Sequence, residues 1–326
     1  MKILFVAPPY INLDSKSGGV FNEMKAREKA LGEVGVDVEY LELGVSPDWD
    51  NIDLCHLFMA NEGSYGLSLK LKEKKPLVVS PIIDRVESNL LLRVSLACMK
   101  KVPSMYSNLV RSFDICNLAD GILVRSLEEK RRIENAYRIK KPTKIVKIPF
   151  KFESGIVAKA KSQVLFLGDI GNSRKNVINL IRACDDIQVK LVLAGIRSSG
   201  KYGEDVLRAI KDKSNVQYLG KVSEEDKIRL MRESKVFCLP SQMEGVGISG
   251  LEAISYGCNL VVTKNGGVKD YFDKNTWFID PTDVNSISKA IRAALNTEFK
   301  LSSNNDLDYK KIGSEMIFFY EEVINA

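Results

Sequence analysis

The sequence predicts an α/β protein built from two doubly wound parallel-sheet domains. Three observations carry this. Short apolar, β-branched runs alternate with longer amphipathic segments from end to end, the pattern of strands joined by crossover helices. The runs are nearly continuous in apolar residues, as expected of strands covered by helices on both faces. The polar stretch KFESGIVAKAKS at 151–162 then interrupts the pattern, with six runs before it and six after.

In the first half the strand-like runs are KILFVAP (2–8), VDVEYLEL (36–43), LCHLF (54–58), LVVSPII (77–83), GILVRS (121–126) and TKIVKIP (143–149). In the second they are VLFLGD (164–169), VKLVLAG (189–195), VQYLG (216–220), VFCLPS (236–241), NLVVTK (259–264) and TWFID (276–280). Helical patterns fill most gaps, such as FNEMKAREKALGEVG after the first run and EEDKIRLMRES after Gly220. The tail DYKKIGSEMIFFYEEVIN reads as a final amphipathic helix with Ile312, Met316, Phe319 and Val323 on one stripe. It closes the second domain or crosses back to the first; spacing does not decide. The expected domains are 1–152 and 153–308, with the terminal helix at 309–326. Such sheets take ligands beyond the carboxyl ends of their strands, so the expected site is a cleft faced by both domains.

A chain of 326 residues suits about two domains of ordinary size. With 45% hydrophobic and 28% charged residues it reads as soluble and globular. The N-terminus MKILFVAPPY has no cleavage-type sequence, and NLLLRVSLACM (89–99) is too short and interrupted to span a bilayer. Six cysteines form no CxxC pair, and with a single histidine no zinc spacing can be drawn. Four of the cysteines lie in apolar runs, where buried free thiols are expected. These features predict a cytoplasmic protein. The net charge of +6 is uneven: residues 1–50 carry five Lys/Arg against nine Asp/Glu, and residues 101–150 eleven against five. That basic surplus suits an anionic membrane surface or a phosphorylated substrate, the alternative being a solvated helix face. No aromatic-interleaved basic run points to nucleic acid.

The stretch EGVGISGLEA (244–253) follows an apolar run and spends glycines and acids together. Gly245 and Gly247 would let backbone approach a ligand. A helix expected from Gly250 to Gly257 would aim free N–H groups at a phosphate. Ser249 and Glu252 match a capping box, so Glu252 reads as a cap or as a ligand contact, whereas Glu244 has no such local role. In LGDIGNSRKNVINLIRA (167–183), Arg174 and Lys175 fall at a helix start, where cations are unfavourable unless an anion is bound. Two solvated side chains are the alternative. Gly18 and Gly19 in SKSGGV (15–20) open a helix and suit backbone contact with a phosphate or sugar. No GxGxxG follows the first strand, which argues against a dinucleotide oxidoreductase. His56, the only histidine, lies in a strand and is either a cleft-facing catalytic group or a satisfied core residue.

Together these residues resemble the family 4 glycosyltransferases of the GT-B fold, over nearly the whole chain. The most specific element is Glu244 to Glu252, which matches that family's E-x7-E signature in its EGFGxxxLEA form, followed by Tyr-Gly-Cys and then by NGG at 265–267. VQYLGKVSEEDKIRLMRESKVFCLPS and the LDYKKIGSEMIFFYEEV tail are similar to it too. The resemblance implies two Rossmann-like domains, the first binding acceptor and the second a nucleotide-sugar donor. It implies a retaining transfer to an acceptor hydroxyl, on a saccharide or a lipid-linked saccharide, in polysaccharide or glycolipid synthesis. Peripheral attachment at the inner face of the membrane would go with such an acceptor. Glu252 would hold the donor ribose, Glu244 the transferred sugar, and the amides of Ile248, Ser249, Gly250 and Leu251 the sugar or phosphate. Lys175 matches the diphosphate-binding lysine, Gly19 the acceptor-side glycine loop, and the final helix would return to the first domain.

No metal or cofactor is expected, because cations and helix N-termini neutralise the leaving diphosphate. The triplet at 306–308 superficially resembles a DxD motif, but its place beside the terminal helix argues against a metal. Two departures stand out. Asp169 occupies the place of a common arginine, with Arg174 a candidate substitute. The fourth strand ends in VVSPIID, with no histidine, so that Ser80 or a backbone group would have to serve. These departures keep open a catalytically silent binding or partner subunit; a GT-B nucleotide-sugar epimerase is a further alternative. Base, sugar, acceptor and oligomeric state are not legible.

Overall fold

The structure, a computed structural model, describes residues 1–9, 18–42, 44–102, 107–152, 162–300 and 305–326. The chain divides into two compact units, one comprising Met1–Lys151 with Asn304–Ala326 and the other Phe152–Ser303. Most of the interrupting polar stretch, residues 153–161, lies outside the described residues, as do residues 15–17 of the first glycine loop.

Each unit holds a six-stranded sheet in which every pair is parallel. In the first, β1 (Lys2–Val6), β2 (Asp37–Tyr40), β3 (Leu54–Phe58), β4 (Leu77–Ser80), β5 (Gly121–Val124) and β6 (Thr143–Ile145) lie in the order β2-β1-β3-β4-β5-β6. In the second, β7 (Gln163–Leu167), β8 (Leu191–Ala194), β9 (Val216–Tyr218), β10 (Ser234–Leu239), β11 (Asn259–Thr263) and β12 (Trp277–Ile279) lie in the order β12-β11-β10-β7-β8-β9. The second order is the doubly wound 3-2-1-4-5-6 pattern, and it reverses direction between β7 and β10. The first reverses between β1 and β3, the flavodoxin-like variant. Ligands of such sheets bind at the reversal, outside the strand ends.

Alternation along β1 shows how both faces of a parallel strand are used. Leu4 and Val6 join a core with Leu92, Leu96 and Ile115, whereas Ile3 and Phe5 join Met24, Leu31 and Phe319 on the other face. The terminal helix Tyr309–Ile324 belongs to this second core, with Ile312, Met316, Phe319 and Val323 all buried. It lies close against the Gly19–Gly32 helix, where a Cβ on Gly313 would sit 2.2 Å from the Ala30 carbonyl oxygen. In the second unit, Val164, Phe166, Val236, Cys238 and Val261 form one core with Val177, Leu180 and Ile181 of the Val177–Asp186 helix. Five cysteines are buried and only Cys98 is exposed, one more buried than the apolar runs suggested.

The first unit also buries a charged network. Arg27 is fully buried; its Nε donates to Glu23 at 3.0 Å and its Nη2 to the Val146 carbonyl at 3.1 Å. Arg125 binds Glu129 through Nε and Nη2, both at 3.1 Å, and Asp84 at 2.8 Å. Glu129 in turn accepts from the Ile83 amide at 2.7 Å. This braces a turn in which Ile82, a β-branched residue, is held at φ +57.

Candidate functional site

His56 and Ser80 are buried core residues, so of the two readings left open for His56 the satisfied core one holds, and the reading of Ser80 as a ligand-facing group is corrected. His56 is fully buried, its Nδ1 2.7 Å from the Tyr320 hydroxyl and its Nε2 2.8 Å from Ser80 Oγ. Ser80 donates onward to the Leu123 carbonyl at 3.1 Å. Burial, with the nearby Arg27 charge, pushes the His56 pKa well below its ordinary value, so the ring is neutral. It serves as a polar pin between β3, β4 and the terminal helix. Gly18 and Gly19 sit at the mouth of the Gly19–Gly32 helix, exposed, with nothing within 4 Å of a Cβ at either position. Gly18 needs to be glycine for its φ of +134; Gly19 meets no such steric demand.

The remaining candidates gather in the second unit, at the strand-order reversal. The loop after β7 makes a short 3-10 turn, Ser173–Lys175, capped by Asn172, whose Oδ1 accepts from the Arg174 amide at 3.0 Å. Arg174 and Lys175 therefore precede the α-helix rather than opening it. Asn176 then takes the left-handed conformation (φ +55), which asparagine tolerates well. Its amide ties down the carbonyls of Pro240 (3.1 Å) and Pro281 (2.6 Å).

Two further bonds lace this turn to the loop after β10. The Gln242 amide donates to the Arg174 carbonyl at 2.8 Å, and Arg174 Nη1 donates to the Met243 carbonyl at 2.7 Å. Between them Lys175 Nζ donates to Glu244 Oε1 at 2.6 Å, and the same oxygen accepts from Ser241 Oγ at 2.5 Å. The lysine and glutamate side chains keep 20% and 10% of their surface, enough to meet a ligand from one side. Glu244 is also fixed through its backbone, which bonds Asn265 O (3.2 Å) and Gly267 N (3.1 Å). A Cβ on Gly266, whose φ is +100, would lie 2.0 Å from the Glu244 carbonyl oxygen, so only glycine fits there.

The helix after this loop runs Ile248–Ser255, two residues earlier than expected, because Gly247 adopts φ +77 and starts it. Its first intrahelical bond is from the Gly250 amide to the Gly247 carbonyl at 2.8 Å, so the Ile248 and Ser249 amides precede the ladder and face the N-terminal end. Ser249 and Glu252 accordingly make no capping box. The Glu252 carboxylate instead pairs at 3.3 Å with Lys227 of the Glu224–Glu233 helix, which also binds Glu224 at 2.7 Å. Burial works against the Lys227 charge, but these two acids outweigh it and raise its pKa.

Asp169 is a loop staple. Its Oδ1 accepts from the amides of Gly171 (2.9 Å) and Ser198 (2.8 Å), and its Oδ2 accepts from the Ser198 hydroxyl. Burial tends to raise its pKa, yet these hydrogen bonds hold it below the ordinary value. Asp306 and Asp308 are spent near the terminal helix: Asp306 pairs with Lys311 at 2.7 Å, and Asp308 caps the helix through the Lys311 amide at 2.9 Å. Local sequence did not single out Ser241, Lys227 or Gly266, although Ser241 closes the VFCLPS run and Gly266 lies in the NGG stretch.

A cation, a carboxylate and an open helix end thus converge where a doubly wound sheet binds its ligand. Residues 147–312, which contain all of this site, match the family described as Glycosyl transferases group 1. The chain belongs to the group 1 glycosyltransferase family. An uncharacterized glycosyltransferase of Methanocaldococcus jannaschii is 30% identical over 156 residues, 46% of this chain and 40% of that protein. The O-antigen chain mannosyltransferase B of Escherichia coli is 28% identical over 144 residues, 41% of this chain and 37% of that one. The chain thus spans about two fifths of the length of these relatives. Among solved structures, sucrose-phosphate synthase from Thermosynechococcus elongatus superposes with a TM-score of 0.74 at 16% identity, covering all of both chains. Anabaena HepE in complex with UDP gives 0.64 at 16% identity, over 100% of this chain and 97% of that one. These likenesses and the two sheets identify the fold as GT-B, with two Rossmann-like domains.

Proposed function

We propose that this group 1 member is a retaining glycosyltransferase that moves a sugar from a nucleoside-diphosphate donor to an acceptor hydroxyl, and that it works in the manner of family 4. The observation that carries the reading is the Lys175–Glu244 pair, fixed by backbone bonds at the reversal between β7 and β10. In this reading Lys175 and the Ile248 and Ser249 amides neutralise the diphosphate, the Gly250 and Leu251 amides being spent on the Gly247 carbonyl; Arg174 holds the two loops in register, Glu244 contacts the transferred sugar, and Glu252 accepts from the ribose hydroxyls. Lys227 then acts as a positioning residue for Glu252. The bond from the anomeric carbon to the diphosphate oxygen breaks, and a bond to the acceptor oxygen forms on the same face. The acceptor proton passes to the departing phosphate.

No metal is required by this scheme, since the fixed cations and amides meet the developing charge. Two of the relatives are mannosyltransferases, one of them GDP-mannose-dependent, which makes GDP-mannose the first donor to try. A saccharide or lipid-linked saccharide is the proposed acceptor, in polysaccharide or glycolipid synthesis at the cytoplasmic side. The first unit, with Gly18 and Gly19, would bind it, and the second unit would bind the donor.

The assay is transfer of labelled sugar from a panel of nucleotide sugars to saccharide and polyprenyl-linked acceptors. A labelled product with the donor's anomeric configuration is expected. Asp169, in the place of a common arginine and engaged as a staple, favours a second reading in which the chain binds donor without transferring it. Tight nucleotide-sugar binding with no labelled product from any acceptor would favour that one.

A further inference from the structure

We propose that the exposed face of the Asn89–Met99 helix, flanked by Val86 and Val102, docks onto the surface of an anionic lipid bilayer. The helix is apolar on opposite sides. Leu92 and Leu96 are buried in the first unit's core, whereas Leu90, Leu91 and Val94 are 68%, 53% and 51% exposed. Five of the fourteen exposed large hydrophobics among the described residues fall within residues 86–102, so the apolar surface is concentrated here rather than scattered. Leu90, Val94, Ala97 and Cys98 follow one another at helical spacing and form a single stripe away from the core.

The patch is built on a rigid base. Ser88 caps the helix by accepting from the Leu91 amide at 3.3 Å. The Arg132 guanidinium holds the preceding turn through the carbonyls of Arg85 (2.7 Å) and Glu87 (3.0 Å). Ordered, solvent-facing leucines on a fixed helix are the form in which interfacial helices insert into a headgroup layer.

Charge selects the partner. Residues 85–102 contain Arg85, Arg93, Lys100 and Lys101 against a single acid, Glu87, which is paired with Arg85 at 3.0 Å. Within this stretch Arg93, Lys100 and Lys101 have no acid to offset them, and Lys100 also lies over the Phe113 ring at 3.8 Å. A twofold contact between copies would bring these cations face to face, whereas anionic headgroups neutralise them. At 11 residues the helix is too short to cross a bilayer, and no helix among the described residues is long and apolar enough to do so. The helix would lie in the plane of the interface.

The test is flotation of the full chain with vesicles of phosphatidylcholine alone and of phosphatidylcholine with phosphatidylglycerol. It requires no turnover, so its failure and that of the transferase reading are separable. The chain is expected to float with the anionic vesicles, to be released by high salt, and to stay down with phosphatidylcholine alone. The Leu90→Ser/Leu91→Ser/Val94→Ser variant should lose roughly tenfold or more in anionic-vesicle affinity while its melting temperature is unchanged. Failure of the parent chain to float with anionic vesicles would overturn the proposal, as would equal flotation of the variant. So would a dimer in sedimentation that this variant dissolves, because the face would then belong to a second copy.

Discussion

Replacing Lys175 by Ala is expected to lower sugar transfer by about a hundred- to a thousandfold, the range seen when a fixed donor to a developing oxyanion is removed. The ammonium is bonded to Glu244 at 2.6 Å, and in the proposed mechanism it shifts its charge toward the departing diphosphate. Because the loss falls on a charge that develops in the transition state, kcat should drop more than KM rises. The fold should survive, since Glu244 keeps the Ser241 hydroxyl and its backbone bonds to Asn265 and Gly267. Glu244→Gln should produce a comparable loss. Lys213→Ala removes a lysine paired with Asp185 just before β9, an edge strand of the same sheet, and should transfer normally. Steady-state kinetics with melting curves for the three variants checks the set.

The second large effect falls on stability. Arg27→Met keeps much of the side-chain volume but strands the buried Glu23 carboxylate, which is 1% exposed. Breaking a buried pair from one side costs about 3–5 kcal/mol, so the first unit should melt on the order of 10 °C lower. The double variant Arg27→Met/Glu23→Met should recover most of that loss, since it leaves no uncompensated charge from this pair. Scanning calorimetry distinguishes the outcomes. A single variant as stable as the parent would mean that Glu23 finds solvent or shares Arg125, which lies 4.0 Å away.

Much of this architecture was legible because parallel strands covered on both sides leave a simple trace. Every one of the twelve apolar runs overlaps one observed strand, although β7 and β10 begin one and two residues before theirs. The runs overshoot mainly at their carboxyl ends. Residues 77–83 are apolar but for Ser80, yet β4 stops at that serine: Ile82 turns left-handed, and Ile83 packs into the core without a ladder partner. Hydrophobicity reports burial, and here burial outlasts pairing.

The site was legible in outline and not in its wiring. Glycines at 245 and 247 marked a place for backbone to approach a ligand, but the helix start was misplaced by two residues. The local capping logic of Ser249 and Glu252 could not foresee that Lys227, on another helix, would take the carboxylate. The Lys175–Glu244 bond joins residues 69 apart in sequence. They meet only because β7 and β10 are neighbours in a strand order that no local pattern encodes. His56 likewise needed the terminal helix, whose Tyr320 completes its hydrogen bonding from 264 residues away.

The central claim is that Lys175 and the Ile248–Ser255 helix end form a nucleoside-diphosphate site. The most direct test is calorimetric titration of GDP, UDP and ADP into the full chain and into Lys175→Ala, without acceptor. One diphosphate should bind the parent chain, and its affinity should fall by roughly tenfold or more in the variant, as for a lost charge-assisted contact. Equal affinity in both proteins, or no binding of any diphosphate to the parent chain, would contradict the account.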